Sequence, residues 1–173
     1  MLNLLIFETH STSTDNEQKI ASGHLDPLLS EKGKQQAVEM GIRYQNMPIN
    51  MIYTSDLKRA SQTVEIAFSS RNLQIQKTPL LREWNYGDFN GTSEEIINKM
   101  KLNYINNPFP NGESLLDVKK RVEKTLKTIS QKLVLIIGHR AVYYILEHLF
   151  KRKTLEKIVV ESWRWQPGWY YTR

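Results

Sequence analysis

Short apolar runs alternate along this chain with longer segments in which apolar residues recur every three or four positions. Leu2–Phe7 is nearly continuous in apolar side chains and stops at Glu8, the pattern of a strand buried on both faces with a loop at its carboxyl end. From Ser30 to about Tyr44, Ala37, Met40, Gly41 and Tyr44 keep helical spacing, and Ser30 stands where a cap belongs. Met51-Ile52-Tyr53 reads as a second strand. Ser55 is the expected cap of a helix whose apolar side includes Leu57, Ala60, Val64 and Ala67, and Leu73–Thr78 alternates weakly, as a strand, before Pro79.

A polar stretch follows. Thr92 to Glu95 resembles a capping box and predicts a helix through Met100, until the Asn- and Pro-rich segment 106–112 interrupts it as a loop. Leu115, Val118, Val122, Leu126 and Ile129 form the stripe of an amphipathic helix capped by Ser114. Leu133–Ile137 is the strongest strand signal and ends at Gly138-His139. A helix from about Ala141 to Phe150, then short strands near Ile158–Val160 and Trp169–Thr172, complete an α/β layer architecture in one domain spanning residues 1–173. There is no internal repeat and no low-complexity tract.

Composition narrows the setting. The chain has 173 residues with a net charge of +6, so its surface should attract anions, whether phosphorylated metabolites, nucleic acid or acidic lipid. The absence of cysteine excludes disulfides, thiolate metal sites and cysteine nucleophiles, and suits a reducing compartment. The opening residues lack a basic leader, and no stretch is long and apolar enough for a bilayer, so a soluble cytoplasmic protein is expected. Basic and aromatic residues do not interleave as a nucleic-acid platform would require, so neither nucleic acid nor membrane is an expected partner. Oligomeric state is left open.

The chemistry lies at the strand ends. His10 and His139 each follow an apolar strand, and the carboxyl ends of parallel strands are where open α/β sheets bind ligands. One such histidine is more often structural; two at equivalent ends point to a site. Imidazole is uncharged near neutral pH, so it can approach a phosphate without the repulsion a carboxylate would meet.

These histidines belong to a longer series of matches. His10 through Asn16, then Gly23, Asp26, Leu28, Gly33 and Gln36-Ala37, resemble the opening of the histidine phosphatase superfamily, the phosphoglycerate-mutase-like fold. Ser55-Asp56-Leu57-Lys58-Arg59-Ala60 with Thr63 is similar to its second signature, and Leu81-Arg82-Glu83 with Tyr86-Gly87-Asp88 and Gly91 to its third. Gly112-Glu113-Ser114 with Arg121 and then Gly138-His139 follow in family order. The resemblance implies a three-layer αβα sandwich with a mostly parallel central sheet, and a phosphomonoesterase needing neither metal nor cofactor.

In that reading His10 attacks phosphorus and becomes phosphohistidine, which water hydrolyses. Arg59, on the first turn after the second strand, grips phosphate oxygens, and His139 stabilises their charge. Glu83 matches the family's proton donor, with Glu113 in reserve. Asn16, Ser11, Gly23 and His24, in the loop after the nucleophile, are candidate phosphate or substrate contacts. His148 reads as structural and Lys151-Arg152-Lys153 as a solvated basic run. Trp163 and Trp165 alternate as on one strand face and, with Trp169, are expected in the core.

Two positions depart from the pattern. The family usually carries arginine immediately before the nucleophile and glycine after it; here those residues are Thr9 and Ser11, with Glu8 one step further back. Losing a charge-assisted phosphate contact in a dry site costs about 2–4 kcal/mol of transition-state stabilisation. Arg140 follows His139, where the family commonly has a small residue, and is the expected replacement. The alternatives are that Arg140 points to solvent or pairs with Glu8. Two further functions stay open: a phospho-ligand binding protein without turnover, and a phosphoglycerate-type mutase.

Overall fold

The computed structural model describes Leu2 and residues 4–172. The first strand, β1 (Leu4–Thr9), runs two residues further than its apolar stretch, of which Asn3 lies outside the described residues. The short α1 (Thr14–Glu17) and β2 (Ile20–Ala21) lead to α2 (Glu31–Tyr44), β3 (Met51–Thr54), α3 (Lys58–Phe68) and β4 (Ile75–Lys77). Then come β5 (Thr92–Ser93), α4 (Glu94–Met100), α5 (Leu115–Thr128), β6 (Leu133–Gly138), α6 (Arg140–Lys151), α7 (Leu155–Val160) and β7 (Trp169–Tyr171).

Five strands form the central sheet in the order β4-β3-β6-β1-β7, parallel except for β7, which runs antiparallel along β1. Successive side chains on a strand face opposite sides, and the sequence uses both. Leu5, Phe7, Val134 and Ile136 pack against Val118 and Val122 of α5 and Val142 and Ile145 of α6. Ile6, Ile52, Leu135 and Ile137 pack against Met40 and Tyr44 of α2 and Val64 and Phe68 of α3. The result is the three-layer αβα sandwich, with its apolar strands filled on both faces. Each of these buried side chains contributes about 1.5–3 kcal/mol by leaving water.

Several local expectations change. Ile158–Val160 is helical, not a strand: Thr154 caps α7, and Leu155, Ile158 and Val159 are buried at helical spacing while Val160 stays exposed. Ser55 does not cap α3; Leu57 occupies the cap position, and the Lys58 amide donates instead to Asp26 Oδ1 at 2.6 Å. Ser93, not Thr92, caps α4, and Thr92 Oγ1 donates to the Phe89 carbonyl. Trp163 and Trp165 lie outside any strand, whereas Trp169 begins β7 and is buried. The antiparallel pairing of β2 with β5 had no sequence signal, since each has only two residues.

Sheet register sets up the site. β1 pairs with β6 so that Thr9 faces Gly138, and the His10 amide extends the ladder by donating to the Gly138 carbonyl at 2.8 Å. The two histidines therefore leave adjacent strands side by side.

Candidate active site

Beyond the ends of β1 and β6 lies a cavity of about 550 Å³ whose lining includes Thr9, His10, Ser11, Asn16, Gly23, Arg59, Glu83 and Arg140. The His10 and His139 rings stand 5.0 Å apart between centroids. His10 Nδ1 lies 2.7 Å from the Ser11 carbonyl oxygen. A carbonyl only accepts, so Nδ1 carries the hydrogen and Nε2 keeps the free lone pair. Burial and then the positive charge of Arg59 lower the His10 pKa to about 3, so the ring is neutral at physiological pH. His139 is fully buried, and its pKa is likewise held well below the usual histidine value, chiefly by burial and then by Arg59. Its Nε2 meets Ser55 Oγ at 2.6 Å, and its Nδ1 has no hydrogen-bond partner among the described residues. Ser55, expected as a helix cap, thus orients the second histidine.

The loop after His10 is tied to the helices around it. The Ser11 amide donates to Thr63 Oγ1 on α3, and the Thr12 amide to Gln36 Oε1 on α2. Gly33 permits the close approach of α2, since a Cβ there would fall 1.9 Å from the Thr12 carbonyl oxygen. Asn16 caps back onto Ser13 through Oδ1 and lines the cavity, leaving its amide hydrogens as the group able to donate there. Ser11 Oγ is buried without a hydrogen-bond partner among the described residues.

Arg59 is almost wholly buried, and its guanidinium is braced by the carbonyls of Gly23 and Leu25 at 2.9 and 2.8 Å. The Gly23 carbonyl is aimed by a left-handed backbone, φ +53°, at a point where a Cβ would collide with Asn90 Oδ1. Glu83 sits in the cavity wall with its carboxylate accepting from the amides of Trp84, Arg140 and Ala141. Two of those amides open α6, so the helix start fixes this side chain.

Glu113 is placed differently. It takes a two-pronged bond from Arg121 and one from the Asn85 amide, does not line the cavity, and is part of the scaffold under the Glu83 loop. His24 is not brought to the cavity either: its Nε2 donates to the Glu83 carbonyl at 2.8 Å. Arg140 lines the cavity with its guanidinium over the Trp163 ring, and Glu8 is buried elsewhere, holding Arg43 and the Tyr44 hydroxyl. His148 bonds Lys153 and Lys119 on the far side of α6, and Lys153 bridges Glu147 and Glu161. Among the described residues no three His, Asp or Glu side chains converge as a metal would need.

Sequence reasoning missed several residues of the wall. Trp163 and Trp165 line the cavity, as do Tyr86, Lys101 and Tyr144. The tryptophan pair carried a signal, assigned to the core; Lys101 had none, because a lone lysine in a polar stretch looks like any solvated one.

The model of the histidine phosphatase superfamily (branch 1) matches residues 5–160. The chain belongs to the histidine phosphatase superfamily. Among its relatives in this superfamily, the uncharacterized phosphatase PhoE of Bacillus subtilis is 33% identical over 141 residues, covering 79% of this chain and 72% of PhoE. A 2,3-bisphosphoglycerate-dependent phosphoglycerate mutase of Bartonella bacilliformis is 29% identical, covering 94% of this chain and 88% of the mutase. Bacillus stearothermophilus YhfR superposes with a TM-score of 0.84 at 26% identity, covering 96% of this chain and 89% of YhfR. Histidine phosphatase relatives thus include both phosphatases and mutases. Among the described residues no helix is long and apolar enough to cross a membrane.

Proposed function

We propose that the chain is a phosphomonoesterase acting through a phosphohistidine intermediate on a small phosphorylated substrate. One observation carries this reading: His10 is a neutral, cavity-lining imidazole whose Nδ1 is engaged by Ser11 and whose Nε2 is the free lone pair, in a cavity also lined by the cations Arg59 and Arg140. Nε2 attacks phosphorus, and the P–N bond forms as the bond to the ester oxygen breaks. Glu83 hands a proton to the departing oxygen. Water then attacks the phosphohistidine, returns a proton to Glu83, and releases inorganic phosphate and free His10. Arg59 and Arg140 carry the charge of the phosphoryl oxygens, Arg140 supplying the cation that Thr9 does not; neutral His139 stands beside the nucleophile as a hydrogen-bonding group, and Asn16 and Ser11 add hydrogen bonds. No step uses a metal or cofactor.

The test is hydrolysis of p-nitrophenyl phosphate by the wild type and His10→Ala, with a search for acid-labile phosphohistidine by 31P NMR. Turnover and phosphoenzyme are both expected in the wild type and absent in the variant. A variant that hydrolyses as well as the wild type overturns the nucleophile. A wild type with neither turnover nor phosphoenzyme favours the phospho-ligand binding reading. The likeness to a phosphoglycerate mutase favours a second reading, transfer to an acceptor other than water, and the ratio of transfer to hydrolysis separates the two.

A further inference from the structure

Beyond the two histidines the cavity holds a basic group that the proposed chemistry does not use. Lys101, in the turn of 3-10 helix that follows α4, is 9% exposed and lines the cavity. Its ammonium donates to Asn98 Oδ1 at 2.8 Å and the Tyr144 hydroxyl at 3.2 Å, both neutral. Neither Lys101 nor Arg140 belongs to an ion pair among the described residues. A buried cation with no anionic partner is costly, and a lysine held this way is stabilised when an anion reaches it.

Lys101 and His10 are anchored on different parts of the cavity wall, His10 beside Gly138 at the end of β6 and Lys101 against Tyr144 of α6. The positive charge of Arg140 acts on both. Lys101 is held to Asn98 and to Tyr144, one helical turn beyond Arg140 on α6, and shares no hydrogen bond with His10, His139 or Arg59. It therefore stands apart from the phosphoryl position, on the side where the rest of a substrate would extend. Glu94, also in the lining, bounds this region with the opposite sign; its charge and that of Glu83 reach the lysine, but neither forms an ion pair with it among the described residues.

We infer that Lys101, steadied by Tyr144 and Asn98, is a specificity-determining residue that binds a second anionic group, a carboxylate or a phosphate, on the leaving portion of the substrate. This rests on the phosphatase reading and narrows it to acidic phosphoesters. Neutral phosphoesters then occupy only the phosphoryl end.

Non-hydrolysable phosphonates test the inference without turnover. Propylphosphonate, 3-phosphonopropanoate and propane-1,3-bisphosphonate are titrated calorimetrically into the wild type, Lys101→Met and Lys101→Arg. The wild type should bind at least one acidic ligand about tenfold tighter than propylphosphonate, as expected of a charge-assisted hydrogen bond. Which of the two gains tells carboxylate from phosphate. Lys101→Met should bring the ratio near one, and Lys101→Arg should restore most of it, which also shows that loss in the first variant is not misfolding. Equal affinities in the wild type, or a ratio that survives Lys101→Met, overturn the second subsite while leaving the phosphatase reading intact. Failure of the wild type to bind any phosphonate overturns both.

Discussion

Two glutamates near the same loop have opposite fates, and their hydrogen bonds say why. Glu83 faces the cavity and is gripped by main-chain amides at the start of α6, whereas Glu113 spends both oxygens on Arg121 and the Asn85 amide. Glu113→Gln should therefore act on stability, lowering the unfolding free energy by about 1–3 kcal/mol through a weakened, partly buried charge pair. Glu83→Gln should act chiefly on the chemistry, cutting kcat by about a hundredfold or more, while the main-chain amide left facing the new NH2 lowers Tm as well. Thermal melts and steady-state kinetics on both variants check the assignment, and a larger kcat loss for Glu113→Gln would exchange the roles. The sequence ranked the two by their neighbours; the structure puts Glu83 in the cavity wall and Glu113 outside it. Glu8 stands two residues before His10 yet does not line the cavity, because it is the strand face that decides. Like Ile6, it points toward α2, where Arg43 and Tyr44 meet it.

Elements with strong periodicity were legible: α2 and α5 carry the expected serine caps, and β6 follows its branched run. What failed depended on partners remote in sequence. α3 is capped by Asp26, thirty-two residues before Lys58, so Ser55 was free for another task that no local rule reveals. That task is a prediction: Ser55→Ala should cost about 1 kcal/mol of stability but lower kcat by about tenfold or more, because His139 loses the hydroxyl that sets its ring. KM for a neutral aryl phosphate should change less than kcat, and a kcat equal to wild type would reduce Ser55 to a packing residue. α7 was mistaken for a strand because Ile158-Val159-Val160 is a branched triplet. Leu155, three residues earlier, shares its buried face with Ile158 and Val159, and that spacing was the better clue. Trp163 does pack against the core, on Tyr143 and Trp169, but Trp165 is exposed and neither lies in a strand: alternation also suits an irregular segment whose side chains line a cavity wall.

At the scale of the molecule, burying two neutral histidines ties stability to pH. An unfolded histidine takes up a proton near pH 6.5, whereas folded His10 does not until about 3, and folded His139 is also well below 6.5. Between those values the unfolded chain holds more protons, so stability is complete above pH 6.5 and declines as pH falls. The slope approaches about 1.4 kcal/mol per pH unit for each such group. Tm should drop from pH 7 to pH 4, and His10→Asn should drop less steeply; coincident curves would mean that folded His10 accepts a proton normally. The fold class itself was readable, since alternating strand and helix patterns admit few layer arrangements, while the cavity wall was not, because it gathers residues scattered from Thr9 to Trp165. The pairing of β1 with β6, Leu4 beside Leu133, has a further consequence for how the protein comes into being. β1 and the distant β6 must close a long loop before the two rings can meet, and such distant parallel contacts form late and slowly. During refolding, helix signal should return well before the ability to hydrolyse phosphate, and a chain stalled short of β6 would hold most of its helices and none of its chemistry.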